Sequence, residues 1–169
     1  MFKSTILALI FILGSALAPL LSLAAAPSSR TLVSHVMALL SVFEQADALP
    51  PENSPEANEL IHALIQTQAA LTKSANPATR RWFTEALREA DGEHRALTSR
   101  TLEAILSYAR THPPATDPAV LAGFREFNVT PADFAMMARV YQLAVTHLQT
   151  TGQDIHVLYD KQRQTMPFR

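Results

Sequence analysis

The segment TPADFAMMARVY, from Thr130 to Tyr141, opens with a polar residue followed by proline. The same pairing occurs three times upstream, as SPEA at Ser54, NPAT at Asn76 and DPAV at Asp117. Ser, Thr, Asn and Asp are the preferred N-cap residues of helices, because the side-chain oxygen accepts a hydrogen bond from an unpaired N–H of the first turn. Proline suits the next position, where its missing N–H costs nothing. We therefore interpret the four motifs as helix starts and not as four copies of a ligand-binding loop.

Apolar residues follow these starts at intervals of three or four positions, which is the spacing of one helix face. No stretch alternates apolar and polar residues, so no strand is expected. The pattern predicts an all-α, single-domain helical bundle of six to seven helices, with the helices at 54–75 and 130–150 forming much of its core. Gly92 and Gly152 are expected to end the helices that start at Asn76 and Thr130. The apolar stripes run through residues 32–43, 60–71, 82–90, 102–109, 120–127, 134–148 and 155–159.

The first 26 residues differ from the rest of the chain. Lys3 precedes an apolar run from Ile6 to Leu23, and the small-residue stretch SLAAAPSS follows. This order is typical of a secretory signal peptide, so we predict a signal peptide over residues 1–24 and an α-helical domain over 25–169. The alternatives are cleavage after Ala26 and an uncleaved membrane anchor, since 18 apolar residues are just enough to span a bilayer. In each case the domain is exported, to a bacterial periplasm or out of the cell, and the chain meets the membrane only if the segment is uncleaved.

Composition and charge restrict the class of protein. Of the 169 residues, 48% are hydrophobic and 17% are charged, and the net charge is −1. These values argue against a disordered chain, which combines few apolar residues with a strong charge imbalance. They also argue against a nucleic-acid binder, which carries a basic excess. The chain has no cysteine, so the exported domain lacks disulfides and its core alone must stabilise it.

Few motifs in the chain carry chemistry. There is no Gly-x-Ser-x-Gly nucleophile elbow and no His-Glu-x-x-His zinc helix. Glu59 and His62 form a Glu-x-x-His pair, but carboxylate-bridged metal bundles need two such pairs from different helices. We therefore predict no catalytic residue, no cofactor and no bound metal. Glu59 with His62 is the one pair on which an enzyme could be built.

Charge is distributed unevenly along the chain. Residues 25–72 carry one positive and five negative charges, whereas six arginines lie between positions 80 and 110. Such asymmetry favours contact with an oppositely charged protein or with a second copy of the chain. Arg81 and Glu85 have the i,i+4 spacing of a helix-surface ion pair. The residues chosen as the candidate interaction surface are Arg80, Arg81 and Arg88 on one helix, with Glu56 and Glu59 on another.

These observations favour an exported, non-enzymatic protein that acts by contact with another protein, as an accessory subunit, an inhibitor or immunity factor, or a chaperone. The first alternative is a small-ligand or metal-binding bundle, with Tyr108, Tyr141 or His147 lining a cavity between helices. The second alternative is an enzyme built on a carboxylate–His pair. Residues 153–169 are weakly amphipathic, and the sequence leaves open whether they form a peripheral helix or a tail.

Overall fold

The structure, a computed structural model, describes residues 28–90 and 100–167, so the predicted signal peptide lies outside the described residues. The described residues form an all-α, compact arrangement of seven helices, which confirms the predicted fold class. None of these helices combines the length and the apolar character needed to cross a bilayer. The helices are α1 Ser29–Ala46, α2 Pro55–Leu71, α3 Pro77–Ala90, α4 Thr101–Thr111, α5 Pro118–Glu126, α6 Pro131–Thr151 and α7 Ile155–Thr165, and a 3-10 turn, Pro114–Thr116, precedes α5.

All four polar-proline motifs begin helices, as the sequence predicted. Three of them use the expected bond, in which the side chains of Ser54, Asn76 and Asp117 accept N–H groups of the first turn. The corresponding N···O distances are 3.1, 3.0 and 2.9 Å. Because these bonds join residues two or three positions apart, the local sequence is sufficient to specify them.

The fourth start, at Thr130, differs in its hydrogen bonding. Asp133 Oδ2 accepts from both the backbone N and the hydroxyl of Thr130, at 2.6 and 2.7 Å. The carboxylate is thus the acceptor in both bonds, since an ionised Asp has no proton to donate. At the other end of α6, Gly152 takes a left-handed φ of 70° and ends the helix as predicted. The predicted stop at Gly92 lies outside the described residues.

The core consists of two clusters of buried side chains. The first lies between α1, α2, α6 and α7, and its most buried members include Leu40, Ile61 and Val140. The helices expected at 54–75 and 130–150 therefore do supply much of this cluster. The second cluster is rich in aromatic side chains such as Trp82 and Phe124, and it lies mainly between α3, α4 and α5, with Val33 of α1 and Leu71 of α2 packed into it. The sequence did not single out this second cluster, because its side chains come from several helices and from the segment that follows α5.

The C-terminal helix α7 fixes the connection between α1 and α2. The Tyr159 hydroxyl donates to the carbonyl oxygen of Pro50 at 2.5 Å. Gln162, which is buried, accepts from the backbone N of Asn53 at 2.7 Å and donates to Asn58 Oδ1 at 2.6 Å. These bonds span about a hundred positions of sequence, so residues 155–165 form a docked helix and not a tail.

Burial raises the pKa of the Tyr159 phenol well above its ordinary value. The native state therefore retains a proton that the unfolded chain releases above about pH 10. We expect the free energy of unfolding to fall with rising pH above this point, by up to about 1.4 kcal/mol per pH unit for this one group. Urea unfolding followed by circular dichroism between pH 8 and 11 measures the slope (a range set about the ordinary tyrosine pKa).

Tyr159→Phe should flatten this slope, because it removes the titrating group. The variant also loses the bond to Pro50, so its stability at neutral pH should drop by about 1 kcal/mol. Burial also raises the pKa of Tyr141, with Glu103 as a further cause. Tyr141→Phe is therefore the matched control and should keep the contribution of Tyr159. An unchanged alkaline slope in Tyr159→Phe would contradict the burial of this phenol.

Candidate functional site

A groove of about 310 Å³ runs between α3, the end of α4 and the start of α5. We call it the α3–α4 groove. Its floor is set by Trp82 and Tyr108, which are 6% and 5% exposed. It is lined by Ala78, Arg81, Trp82, Glu85, Tyr108, Thr111, His112, Pro113, Thr116, Asp117 and Val120.

Trp82 holds the three helices of the groove together. Its ring packs edge-to-face on Phe83, Tyr108 and Phe124, with centroid separations of 5.1–5.2 Å. Its indole N–H donates to the carbonyl oxygen of His112 at 3.0 Å, just past the end of α4. This bond satisfies the one polar atom of the buried side chain and fixes the backbone that turns from α4 towards α5.

Several polar side chains in the groove have hydrogen-bond or stacking partners nearby. The Tyr108 hydroxyl donates to Glu85 Oε2 at 2.8 Å, and the Tyr108 ring stacks on the His112 imidazole at 4.2 Å. His112 Nδ1 lies 2.9 Å from the hydroxyl of Thr111. The carboxylate of Asp117 caps α5 through the backbone N of Ala119. The groove therefore presents a fixed set of polar atoms above an aromatic floor.

The prediction of an ion pair between Arg81 and Glu85 is wrong. None of the ion pairs found among the described residues joins these two side chains. Glu85 instead accepts a hydrogen bond from the hydroxyl of Tyr108. Because Tyr108 is buried, its hydroxyl needs a protein acceptor, whereas an exposed guanidinium can bond to water. An exposed i,i+4 pair contributes only about 0.3–0.5 kcal/mol, so its loss costs little.

The three candidate arginines are all exposed on α3 but differ in their surroundings. Arg80 donates from Nη1 to the carbonyl oxygen of Ser74 at 3.1 Å and so braces the turn before the helix. Arg81 lines the α3–α4 groove. Arg88 lies two turns further along, about 10.5 Å from Arg81 at the helical rise per residue. In the described part of the chain, no ion pair neutralises any of these three guanidinium groups.

The acidic candidates on α2 lie away from this groove. Glu56 is exposed in the first turn of α2, where a negative charge interacts favourably with the helix dipole. Glu59 Oε1 lies 3.1 Å from His35 Nε2 on α1, and both side chains are about half exposed. His62 is exposed and shares no ion pair with Glu59. Nowhere in residues 28–90 and 100–167 do three His, Cys, Asp or Glu side chains come together as a metal would need.

The three residues expected to line a ligand cavity lie in different places. Tyr108 is in the α3–α4 groove, and Tyr141 lies beside Glu103. His147 lines a separate cleft on α6. The core contains a cavity of about 40 Å³ that none of the three lines, and it is far smaller than the roughly 300–1,000 Å³ of organic ligand sites.

Sequence reasoning did not place Glu85, His112 or Asp117 at this site, since it assigned Glu85 to an ion pair with Arg81 and Asp117 to a helix start. Glu85 and Tyr108 are 23 positions apart, and no local pattern marks them as partners. Trp82 was recognised only as part of an apolar stripe, although its indole N–H must find an acceptor once it is buried. This requirement was the one available signal that a polar backbone segment lies beside α3.

Comparison of the chain with protein-family models, with curated proteins and with solved structures finds no match.

Proposed function

We propose that this chain is an exported helical protein, periplasmic or secreted, that acts by contact with another protein. Proteins that act in this way include accessory subunits, inhibitors or immunity factors, and chaperones. One observation carries the proposal: Arg81, without an ion pair among the described residues, lines a groove floored by Trp82 and Tyr108. The contact surface consists of this groove together with Arg80 and Arg88.

The residue types at this surface favour a protein partner. Arg, Trp and Tyr are the residues that most often dominate the binding energy of protein interfaces. A guanidinium pairs with a carboxylate through two parallel hydrogen bonds, which fixes geometry as well as charge. Glu85 and Asp117, the two carboxylates in the groove, are engaged by Tyr108 and by the start of α5. A partner segment with carboxylates for the arginines and an apolar side chain for the groove has the matching chemistry.

Charge reversal on α3 tests the proposal. We expect Arg81→Glu with Arg88→Glu to weaken partner binding at least about tenfold, which corresponds to about 1.4 kcal/mol. Both side chains are exposed, so the fold should be unaffected, as circular dichroism will show. The immobilised protein is first used to capture the partner from the exported fraction, and calorimetry then measures the affinity of the two proteins. The intact mass of the protein purified from that fraction is expected to correspond to a chain that begins at Ala25.

The matched control is Arg125→Glu with Lys161→Glu. These residues are exposed on α5 and α7, they do not line the groove, and their reversal changes the net charge by the same amount. The control should bind within about twofold of the wild type, since distant charges act only through the screened overall field. Equal weakening by both variants would mean that net charge alone matters. Unchanged binding after the α3 reversal would exclude this surface.

A further inference from the structure

The core cavity of about 40 Å³ lies where the two buried clusters meet. Val36 and Leu64 line it from the first cluster, and Leu71 and Ile105 line it from the second. We call it the seam cavity. It shares no lining residue with the α3–α4 groove, so it is separate from the contact surface on α3.

Apolar side chains form nearly all of the wall of the seam cavity. Of the sixteen described residues that line it, only Thr67 and Gln68 are polar. The hydroxyl oxygen of Thr67 has almost no accessible surface, so it offers no hydrogen bond to a molecule inside the cavity. A buried water needs about two to four polar partners, and cavities with apolar walls stay dry. The seam cavity therefore favours an apolar molecule over water.

The volume of the seam cavity limits the size of the molecule that it can hold. An apolar cavity of about 150 Å³ binds benzene or xenon. At about 40 Å³ the seam cavity is too small for a benzene ring, but it has room for one large atom or about two or three carbon atoms. Wall atoms that face a void lack partners on one side, so a molecule that fills the void restores dispersion contacts.

Phe134 separates the seam cavity from the protein surface. Phe124, Val129 and Phe134 line both the cavity and an open, largely apolar groove of about 210 Å³ beside α5. Phe124 and Val129 are buried, whereas Phe134 is only partly buried. Exposed side chains change rotamer rapidly, so rotation of the Phe134 ring gives a small molecule a route into the core without unfolding.

We infer that the seam cavity binds a small apolar molecule, of the size of a xenon atom or of a hydrocarbon with about two or three carbon atoms, which enters past Phe134. A molecule with a polar group is disfavoured, because burying that group without a hydrogen bond costs free energy. The inference does not rest on the function proposed above.

Xenon is the probe that tests this site, because it is apolar and binds through dispersion contacts alone. NMR spectra of the methyl groups of the purified protein are recorded with and without dissolved xenon. The methyl signals of Val36, Leu64 and Leu71, which line the cavity, should shift and then saturate. Those of Leu60 and Val140, which are buried but do not line it, should hardly move. No shift, or equal shifts in both sets, would overturn the inference.

Benzene tests the size limit and the route. It should leave the methyl signals of Val36 and Leu71 unchanged in the wild type, because benzene needs a larger cavity of about 150 Å³. Phe134→Ala joins the cavity to the groove and should allow benzene to shift both signals. A benzene shift in the wild type would contradict the size limit, and its absence in Phe134→Ala would exclude Phe134 as the separating side chain.

Two matched substitutions locate the site. Val36→Ile and Val140→Ile each add one methylene group at a position that is 2% exposed in the first cluster, but only Val36 lines the cavity. Val36→Ile should weaken xenon binding about tenfold or more without lowering the Tm, because it fills the void. Val140→Ile should lower the Tm by overpacking and change the xenon affinity by less than about twofold. If xenon binds Val36→Ile as it binds the wild type, the inference is wrong.

Discussion

Gly123→Ala is expected to lower the free energy of unfolding by about 3 kcal/mol, the upper part of the usual range for overpacking. A Cβ at this position would lie 1.5 Å from Thr79 Oγ1 and 2.6 Å from Thr79 Cβ. Thr79 is fully buried and its hydroxyl donates to the carbonyl oxygen of Val120 at 3.4 Å, so α3 and α5 must move apart. The prediction has an unusual sign, since alanine in a helix is normally about 1 kcal/mol better than glycine.

Two controls separate this clash from other effects of the substitution. Gly152→Ala places its Cβ in open space but at a φ of 70°, so it should cost only about 1–2 kcal/mol. Adding Thr79→Gly to Gly123→Ala removes both clashing atoms and should recover part of the lost stability. Urea unfolding followed by the fluorescence of Trp82 gives all the values. A Gly123→Ala variant as stable as the wild type would show that α3 and α5 do not approach this closely.

Trp82→Ala is expected to cost about 3–5 kcal/mol, the usual range for truncating a buried aromatic side chain to alanine. The substitution removes a ring that contacts Phe83, Tyr108 and Phe124 and leaves the carbonyl oxygen of His112 without its donor. A small domain has only about 5–15 kcal/mol of stability in total, so this one change could remove much of it. Urea unfolding followed by circular dichroism is the measurement, since the chain has no other tryptophan.

Trp82→Phe divides this loss into packing and hydrogen bonding. It keeps an aromatic ring but deletes the N–H, so we expect a smaller cost of about 1–3 kcal/mol. The groove should still lose shape, because His112 is no longer held against α3. If Trp82→Ala unfolds at nearly the wild-type urea concentration, the aromatic cluster is not the second core of the fold.

The sequence was sufficient for the helices because their determinants are local. The caps at Ser54, Asn76 and Asp117 bond to residues two or three positions away, and proline sets the first turn. Non-local approaches could not be predicted in this way. Gly123 has no local signature in α5, and its role appears only when Thr79 of α3 is placed against it.

The candidate site was predictable only in part, and for the same reason. Arg81 could be chosen because an exposed arginine on an amphipathic helix is visible in the sequence. Glu85 bonds to Tyr108 of another helix and not to Arg81 of its own helix, so the local i,i+4 rule gave the wrong partner. His35 likewise reaches Glu59 from the neighbouring helix α1. Local spacing shows which residues share a helix face, but tertiary packing decides which of them bond.

Site-specific photo-crosslinking tests whether α3 is the proposed surface of contact with another protein. A photoreactive amino acid would replace Thr84, which is exposed on α3 near Arg80 and Arg88, in cells that naturally produce the protein. The control places the same amino acid at Gln164, which is exposed on α7. We predict a discrete adduct with one exported protein from position 84, absent from position 164 and lost when Arg81 and Arg88 are reversed. No adduct from position 84, or the same adducts from both positions, would exclude α3 as the contact surface.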